Sequence, residues 1–339
     1  MEKKLRIGVI GAGGIATNVH MPSLAEIDNC EVVAICDLRI EKANKLAEKY
    51  GVKKTYSIYW DMFANEELDA IFVLVNPDCT FRVAADCMKS GYHVLMEKPA
   101  GIDAYQANSL VRISKATGKT AGVAMNRRHI PLIQEVMKRM RASTEIVQID
   151  GRFMKYSEND KDWDYACAFN CDIVHALDCV RYMAGSEPVA AATVVGQYNC
   201  SIENAWNSVI QFENGISATL RANYQAAARV HDFEIHGPKA SAFINVGFPG
   251  TTANATIVYG AGVPMYSAAS AGVSSGNIEH LDGIALANGE KEYYQHYGYK
   301  SEDIDFVNAI LEGRQPLCTI EDAAKTMEMV EMLKNNRIN

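Results

Sequence analysis

Over the first 125 residues, short apolar runs rich in β-branched side chains alternate with longer stretches in which apolar and charged positions recur at helical spacing. The runs Leu5–Ile10, 31–36, 69–75, His93–Met96 and 120–124 read as strands. Ile40–Tyr50 reads as an amphipathic helix, with Gly51 as its stop. Alternation of this kind predicts a parallel sheet with crossover helices. Beyond Arg128 the pattern changes. A helix over 132–141 leads to a strand over 146–154, an irregular polar stretch over 155–165, and a helix over 171–184 closed by Gly185. From 189 to 246 successive strands follow, with a hairpin signal at Asn214-Gly215 between runs 209–212 and 216–221, and a second turn at Gly237-Pro238-Lys239. This half predicts an α+β domain with a mostly antiparallel open sheet. Residues 260–276, rich in Gly, Ala and Ser, read as a long loop that serves as a lid or an oligomer arm. Two helices, over 302–312 and 320–335, close the chain.

Composition changes this picture little. With 339 residues, 48% hydrophobic and 22% charged, the chain has material for two domains with buried cores. A net charge of −8 speaks against a nucleic-acid or anionic-membrane partner. The first residues run directly into a strand, and no run of 18 apolar residues occurs. The nine cysteines are odd in number and form no Cys-x-x-Cys pair, as in a reducing cytoplasm. Cys167, Cys171 and His175 share a spacing of four, but a fourth ligand is lacking, so no metal is expected.

The chemistry begins at Gly11-Ala12-Gly13-Gly14-Ile15-Ala16, which follows a strand and opens a helix. Gly11 permits a tight turn, Gly13 lets a pyrophosphate approach the backbone, and the helix N-terminus supplies free N–H groups. Asp37, at the end of the second strand, stands where a carboxylate accepts hydrogen bonds from the adenosine ribose. A solvated Asp capping the next helix is the alternative. The carboxylate favours NAD, while Arg39 leaves NADP open.

Glu97-Lys98-Pro99 lies immediately after a strand, and here the chain resembles the glucose-fructose oxidoreductase / inositol dehydrogenase / MocA family. The resemblance runs through nearly the whole chain. It is carried by Gly11–Ala16, 69–75, 91–99, 126–128, the helix with His175-Ala-Leu-Asp178, and 235–241. It implies a Rossmann domain over 1–125 and an α+β substrate-binding and oligomerisation domain over 126–339, whose C-terminal helices pack back on the first. It further implies that Lys98 sits beside the nicotinamide and hydrogen-bonds the hydroxyl being oxidised, that the Lys98-Pro99 peptide is cis, and that His175 is the catalytic histidine. Glu97, Asn76 and Asn126 are expected to contact the cofactor, and Arg128 the substrate. Asp172, three residues before His175, is expected to orient the imidazole or to bind a second hydroxyl; a buried structural pair is the alternative. Many relatives carry this Asp four residues before the His, where this chain has Cys171. A second departure is Asn76 and Thr80, where relatives often have a Pro and a His. Trp163 offers an indole face to a sugar, or packs in its loop. Asp178 and Arg181 read as structural.

Together these residues predict an NAD-dependent enzyme that oxidises a secondary hydroxyl of a sugar, glycoside or cyclitol, acting as a homodimer or homotetramer. Two other functions use the same residues. One is an NAD-retaining glycosidase that works by transient oxidation and elimination. The other is a non-catalytic sensor of sugar and dinucleotide.

Overall fold

The structure is a computed structural model that describes residues 4–157, 168–247, 252–260 and 277–338. Trp163 and residues 261–276, on which the sequence raised expectations, lie outside the described residues. The chain divides into two units. The first is Met1–His129 with Glu292–Glu328, and the second is Ile130–Lys291 with Met329–Asn339.

In the first unit, β1 (Leu5–Ile10), β2 (Cys30–Cys36), β3 (Lys54–Tyr56), β4 (Ala70–Val73), β5 (His93–Met96) and β6 (Ala121–Val123) form a parallel sheet in the order β3-β2-β1-β4-β5-β6. Ile7, Val9, Ile35 and Phe72 are fully buried, as expected where helices cover both faces of a parallel sheet. The sequence reading did not find β3. It has three residues and no buried position, so it carries no apolar run. Strand order reverses at β1, which pairs with β2 on one side and β4 on the other. In such sheets ligands bind at the carboxyl ends of the strands beside this reversal. The helix Tyr299–Glu312 buries Phe306 and Val307 in the same core as Ile7 and Phe72, which is why this unit is discontinuous in sequence.

The second unit is built on β7 (Gln148–Tyr156), β8 (Pro188–Gly196), β9 (Ala205–Phe212), β10 (Ser217–Asn223), β11 (Gln225–His236), β12 (Ala240–Asn245), β13 (Asn254–Tyr259), β14 (Ile278–Asp282) and β15 (Arg337–Ile338). Their order is β14-β13-β12-β11-β7-β10-β9-β8-β15. Neighbours are antiparallel except for β7 with β10 and β8 with β15. Along β9 the side chains alternate, with Trp206, Ser208, Ile210 and Phe212 buried and Asn207, Val209 and Gln211 exposed. One face therefore packs, and the helices Pro131–Ser143 and Val174–Ala184 lie against it. Gly215 takes φ +88° in the hairpin between β9 and β10, a conformation that Asn-Gly turns supply cheaply.

The helix expected over 171–184 is broken. One turn covers Ala168–Cys171, and the helix proper is Val174–Ala184. The amides of Asp172 and Ile173 both donate to the Ala168 carbonyl, at 2.9 and 3.0 Å, so the hydrogen-bond register slips there. Among the described residues, no helix is long and apolar enough to cross a membrane.

Candidate active site

The turn after β1 is shaped by Gly11. Its φ is +104°, and a Cβ there would lie 2.2 Å from the Leu74 carbonyl oxygen, so only glycine fits. Gly13 has open space where a side chain would stand, which leaves its backbone approachable. Helix follows from Gly14, with a π-turn over Ala16–His20. Asp37 is half-buried, and both of its oxygens are engaged: Oδ2 accepts the Ala12 amide at 2.8 Å and Oδ1 the Arg39 amide at 2.9 Å. A carboxylate offers about four lone-pair positions, so acceptor capacity is left over. The two bonds tie the end of β2 to the glycine turn and fix the carboxylate in place.

A cleft of about 290 Å³ opens here, lined by Gly11, Gly13, Asp37, Arg39, Asn76 and Cys79 among others. Asn76 is exposed and precedes the helix Pro77–Lys89. Thr80 stands where relatives have a His. It is buried, and its hydroxyl donates to the Asn76 carbonyl at 3.1 Å, which stabilises the helix start and takes the hydroxyl out of the cleft. The groups present fit a dinucleotide: an approachable glycine backbone, a helix start with free N–H groups, and a fixed acceptor carboxylate just after β2.

Glu97 and Lys98 follow β5 at the carboxyl edge of the same sheet, and the Lys98-Pro99 peptide is cis. Glu97 is buried, and its Oε2 accepts the Lys98 amide at 3.1 Å. Its Oε1 lies 3.4 Å from Nε2 of His20, whose Nδ1 lies 2.8 Å from Oδ1 of Asp303. The sequence reading missed this arrangement. Burial alone would push the His20 imidazole down, but the Asp303 and Glu97 carboxylates outweigh it and hold it well above 6.5. Asn126 is also buried. Its side-chain amide donates to the Tyr297 carbonyl at 2.8 Å, and among the described residues its Oδ1 has no hydrogen-bond partner. A buried acceptor left unpaired is costly, and a ligand N–H would satisfy it. Arg128 is buried in an ion pair with Asp322, from the helix Ile320–Asn335. That pairing ties Arg128 to the helix.

In the second unit, His175 is buried near the start of the helix Val174–Ala184. Asp172 lies in the break before it, where the His175 amide donates to the Asp172 carbonyl at 3.3 Å and keeps the two residues one turn apart. The Asp172 carboxylate accepts the Lys155 ammonium and, at 2.5 Å, the Tyr224 hydroxyl. The Lys155 nitrogen also lies 4.7 Å from the centroid of the Tyr224 ring, close enough for a cation–π contact. Lys155 and Tyr224 were not singled out from sequence. The signal was there for Lys155: extending the strand by one residue puts it on the buried parity of Ile149, Gly151 and Phe153. Arg181 forks onto Glu187 with bonds of 2.8 and 2.7 Å, a structural pairing.

Comparison with known proteins extends this picture. Residues 5–125 match the model of an oxidoreductase family with an NAD-binding Rossmann fold, and residues 141–243 match the GFO/IDH/MocA C-terminal domain. The chain is 23% identical over 279 residues to the D-glucoside 3-dehydrogenase of Escherichia coli, covering 75% of this chain and 77% of that one. Its fold resembles that of an oxidoreductase from Agrobacterium radiobacter solved with NAD+, L-tartaric acid and magnesium. The TM-score is 0.82 at 15% identity, over 98% of this chain and 96% of that one. It also resembles a 3-ketoreductase from Actinomadura kijaniata solved with TDP-benzene and NADP. There the TM-score is 0.77 at 19% identity, over 99% and 98% of the two chains.

Proposed function

The chain belongs to the GFO/IDH/MocA family of oxidoreductases, and from that premise we propose that it oxidises a secondary hydroxyl of a sugar, glycoside or cyclitol with NAD in preference to NADP. The observation that carries this reading is the placing of Lys98 directly after β5, in the same parallel sheet whose β1 and β2 end at Gly11 and Asp37. The relation to a D-glucoside 3-dehydrogenase supports a carbohydrate substrate.

In this reading Lys98 hydrogen-bonds the hydroxyl oxygen, and its ammonium stabilises the negative charge that grows there as the O–H bond breaks. His175 takes the proton, a task for which an imidazole is suited near neutral pH. When bound, the nicotinamide supplies the acceptor for the hydride that leaves the same carbon. Asn126 offers a buried carbonyl oxygen to a cofactor N–H. Asp37 accepts ribose hydroxyls with the lone pairs that the Ala12 and Arg39 amides leave over, and it repels a 2′-phosphate.

Incubating the protein with NAD and a panel of sugars, glycosides and cyclitols tests the proposal. Net formation of NADH in solution with at least one of them is expected. Cleavage of a glycoside with no net NADH would overturn it in favour of a glycosidase that retains its cofactor.

A further inference from the structure

His20 is 283 residues from Asp303 in sequence and 77 from Glu97, yet one imidazole meets both carboxylates. All three side chains are buried. Phe72 packs edge-on against the ring at 5.9 Å and Tyr299 at 6.1 Å, so the flanks are aromatic. Proton bookkeeping limits what this arrangement can be. Each ring nitrogen faces a carboxylate oxygen, and a neutral imidazole has only one N–H. With both carboxylates ionised, a neutral ring would set one nitrogen lone pair against an oxygen lone pair. The cluster therefore holds one proton more than a neutral histidine and two carboxylates would. The titratable groups facing the ring are Glu97 after β5 and Asp303 and Tyr299 from the helix Tyr299–Glu312. Beyond them, Asp303 acts on the Cys30 thiol, and the Arg127 guanidinium and Tyr293 act on Tyr299.

The position of His20 gives the link a direction. It closes the π-turn of the helix that starts at the glycine turn. Glu97, which it meets on one side, accepts the Lys98 amide with its other oxygen. We propose that His20 is a positioning residue for Lys98: it bridges Asp303 to Glu97, and Glu97 in turn holds the Lys98 backbone in place. The link ties the Lys98 segment both to the helix that follows the phosphate turn and to the helix Tyr299–Glu312. A neutral imidazole at position 20 makes one of the two bonds and lets the other go. The importance of holding Lys98 rests on the reading of that residue as the hydroxyl-binding group.

Nuclear magnetic resonance on the full-length, cofactor-free protein tests the link without any turnover. Histidine labelled with ¹⁵N reports ring protonation, and the Lys98 amide is followed in the same pH series. His20 is expected to keep both ring protons at pH 8, where a histidine of ordinary pKa, about 6.5, is neutral. At higher pH the Lys98 amide shift should follow the loss of the His20 proton. In Glu97→Gln, the His20 midpoint should fall and the Lys98 amide should cease to follow it. His20→Gln assigns the signal, and Asp303→Asn does so by displacing it if the first variant does not fold. A His20 ring that titrates near 6.5, or a Lys98 amide that ignores its titration, would overturn the proposal. Both results are independent of whether the protein oxidises sugars, so failure here is distinct from failure of the proposed reaction.

Discussion

At the scale of single residues, Asp37 carries the proposed choice of cofactor. A charge-assisted hydrogen bond contributes roughly 1.5–3 kcal/mol, and about 1.4 kcal/mol is a factor of ten in affinity. NAD is therefore expected to be preferred by about tenfold or more. Asp37→Ser should narrow that gap, chiefly by improving NADP use through the nearby Arg39. Because Asp37 also holds the Ala12 and Arg39 amides, NAD affinity should fall in the same variant. Steady-state kinetics with both cofactors decides this, and a parent protein that uses NADP equally well refutes the role of Asp37. His20 gives a second prediction at this scale. Its folded pKa is raised above the unfolded 6.5, so the stability it contributes is complete below about 6.5 and is lost as pH rises through the folded pKa. Urea unfolding from neutral to alkaline pH should show that loss in the parent and not in His20→Gln. The places of the glycine turn, Asp37 and Lys98 were legible in the sequence because each directly follows an apolar strand run. The pairing of His20 with Asp303 was not, since nothing local to either residue refers to the other.

At the scale of elements, the helix that carries His175 is interrupted at Asp172–Ile173. Asp172 stays one turn before His175, whose amide donates to its carbonyl at 3.3 Å, while its carboxylate meets Lys155 and Tyr224. Asp172→Asn removes the charge that faces the Lys155 ammonium, so it should lower stability, and in the proposed reaction it should impair turnover less severely than a change at His175. His175→Asn should remove the near-neutral ionisation itself. A loss of turnover in Asp172→Asn as large as that in His175→Asn would contradict this ranking. Gly11 is the other element-level constraint, since it closes the turn against the end of β4. Gly11→Ala adds a Cβ against the Leu74 carbonyl at an unfavourable φ, and a strained site of this kind costs on the order of 1–3 kcal/mol. Urea unfolding reads that cost, and an unchanged midpoint would mean that the turn relaxes freely. The longer elements were visible because their periodicity extends over two or more turns or alternations. The three-residue β3 and the break at Asp172 were not, because no apolar pattern marks them.

For the whole molecule, the outward face of the nine-stranded sheet exposes Val209 and Phe243, both on its unpacked parity. This is the surface through which the expected homodimer or homotetramer would form. Val209→Lys with Phe243→Lys should shift sedimentation towards the monomer; a parent protein that sediments as a monomer would refute that expectation. The two-unit architecture was legible from the switch between strand–helix alternation and successive strands. The return of 292–328 to the first unit depends on Phe306 and Val307 finding the Rossmann core, which periodicity alone does not reveal. The reaction itself is tested most directly by Lys98→Ala. With a substrate from the panel in hand, NADH formation and NADH binding are measured side by side in parent and variant. Turnover should be abolished, while the dissociation constant for NADH stays within a modest factor. Turnover within twofold of the parent would contradict the assignment of Lys98 to the hydroxyl.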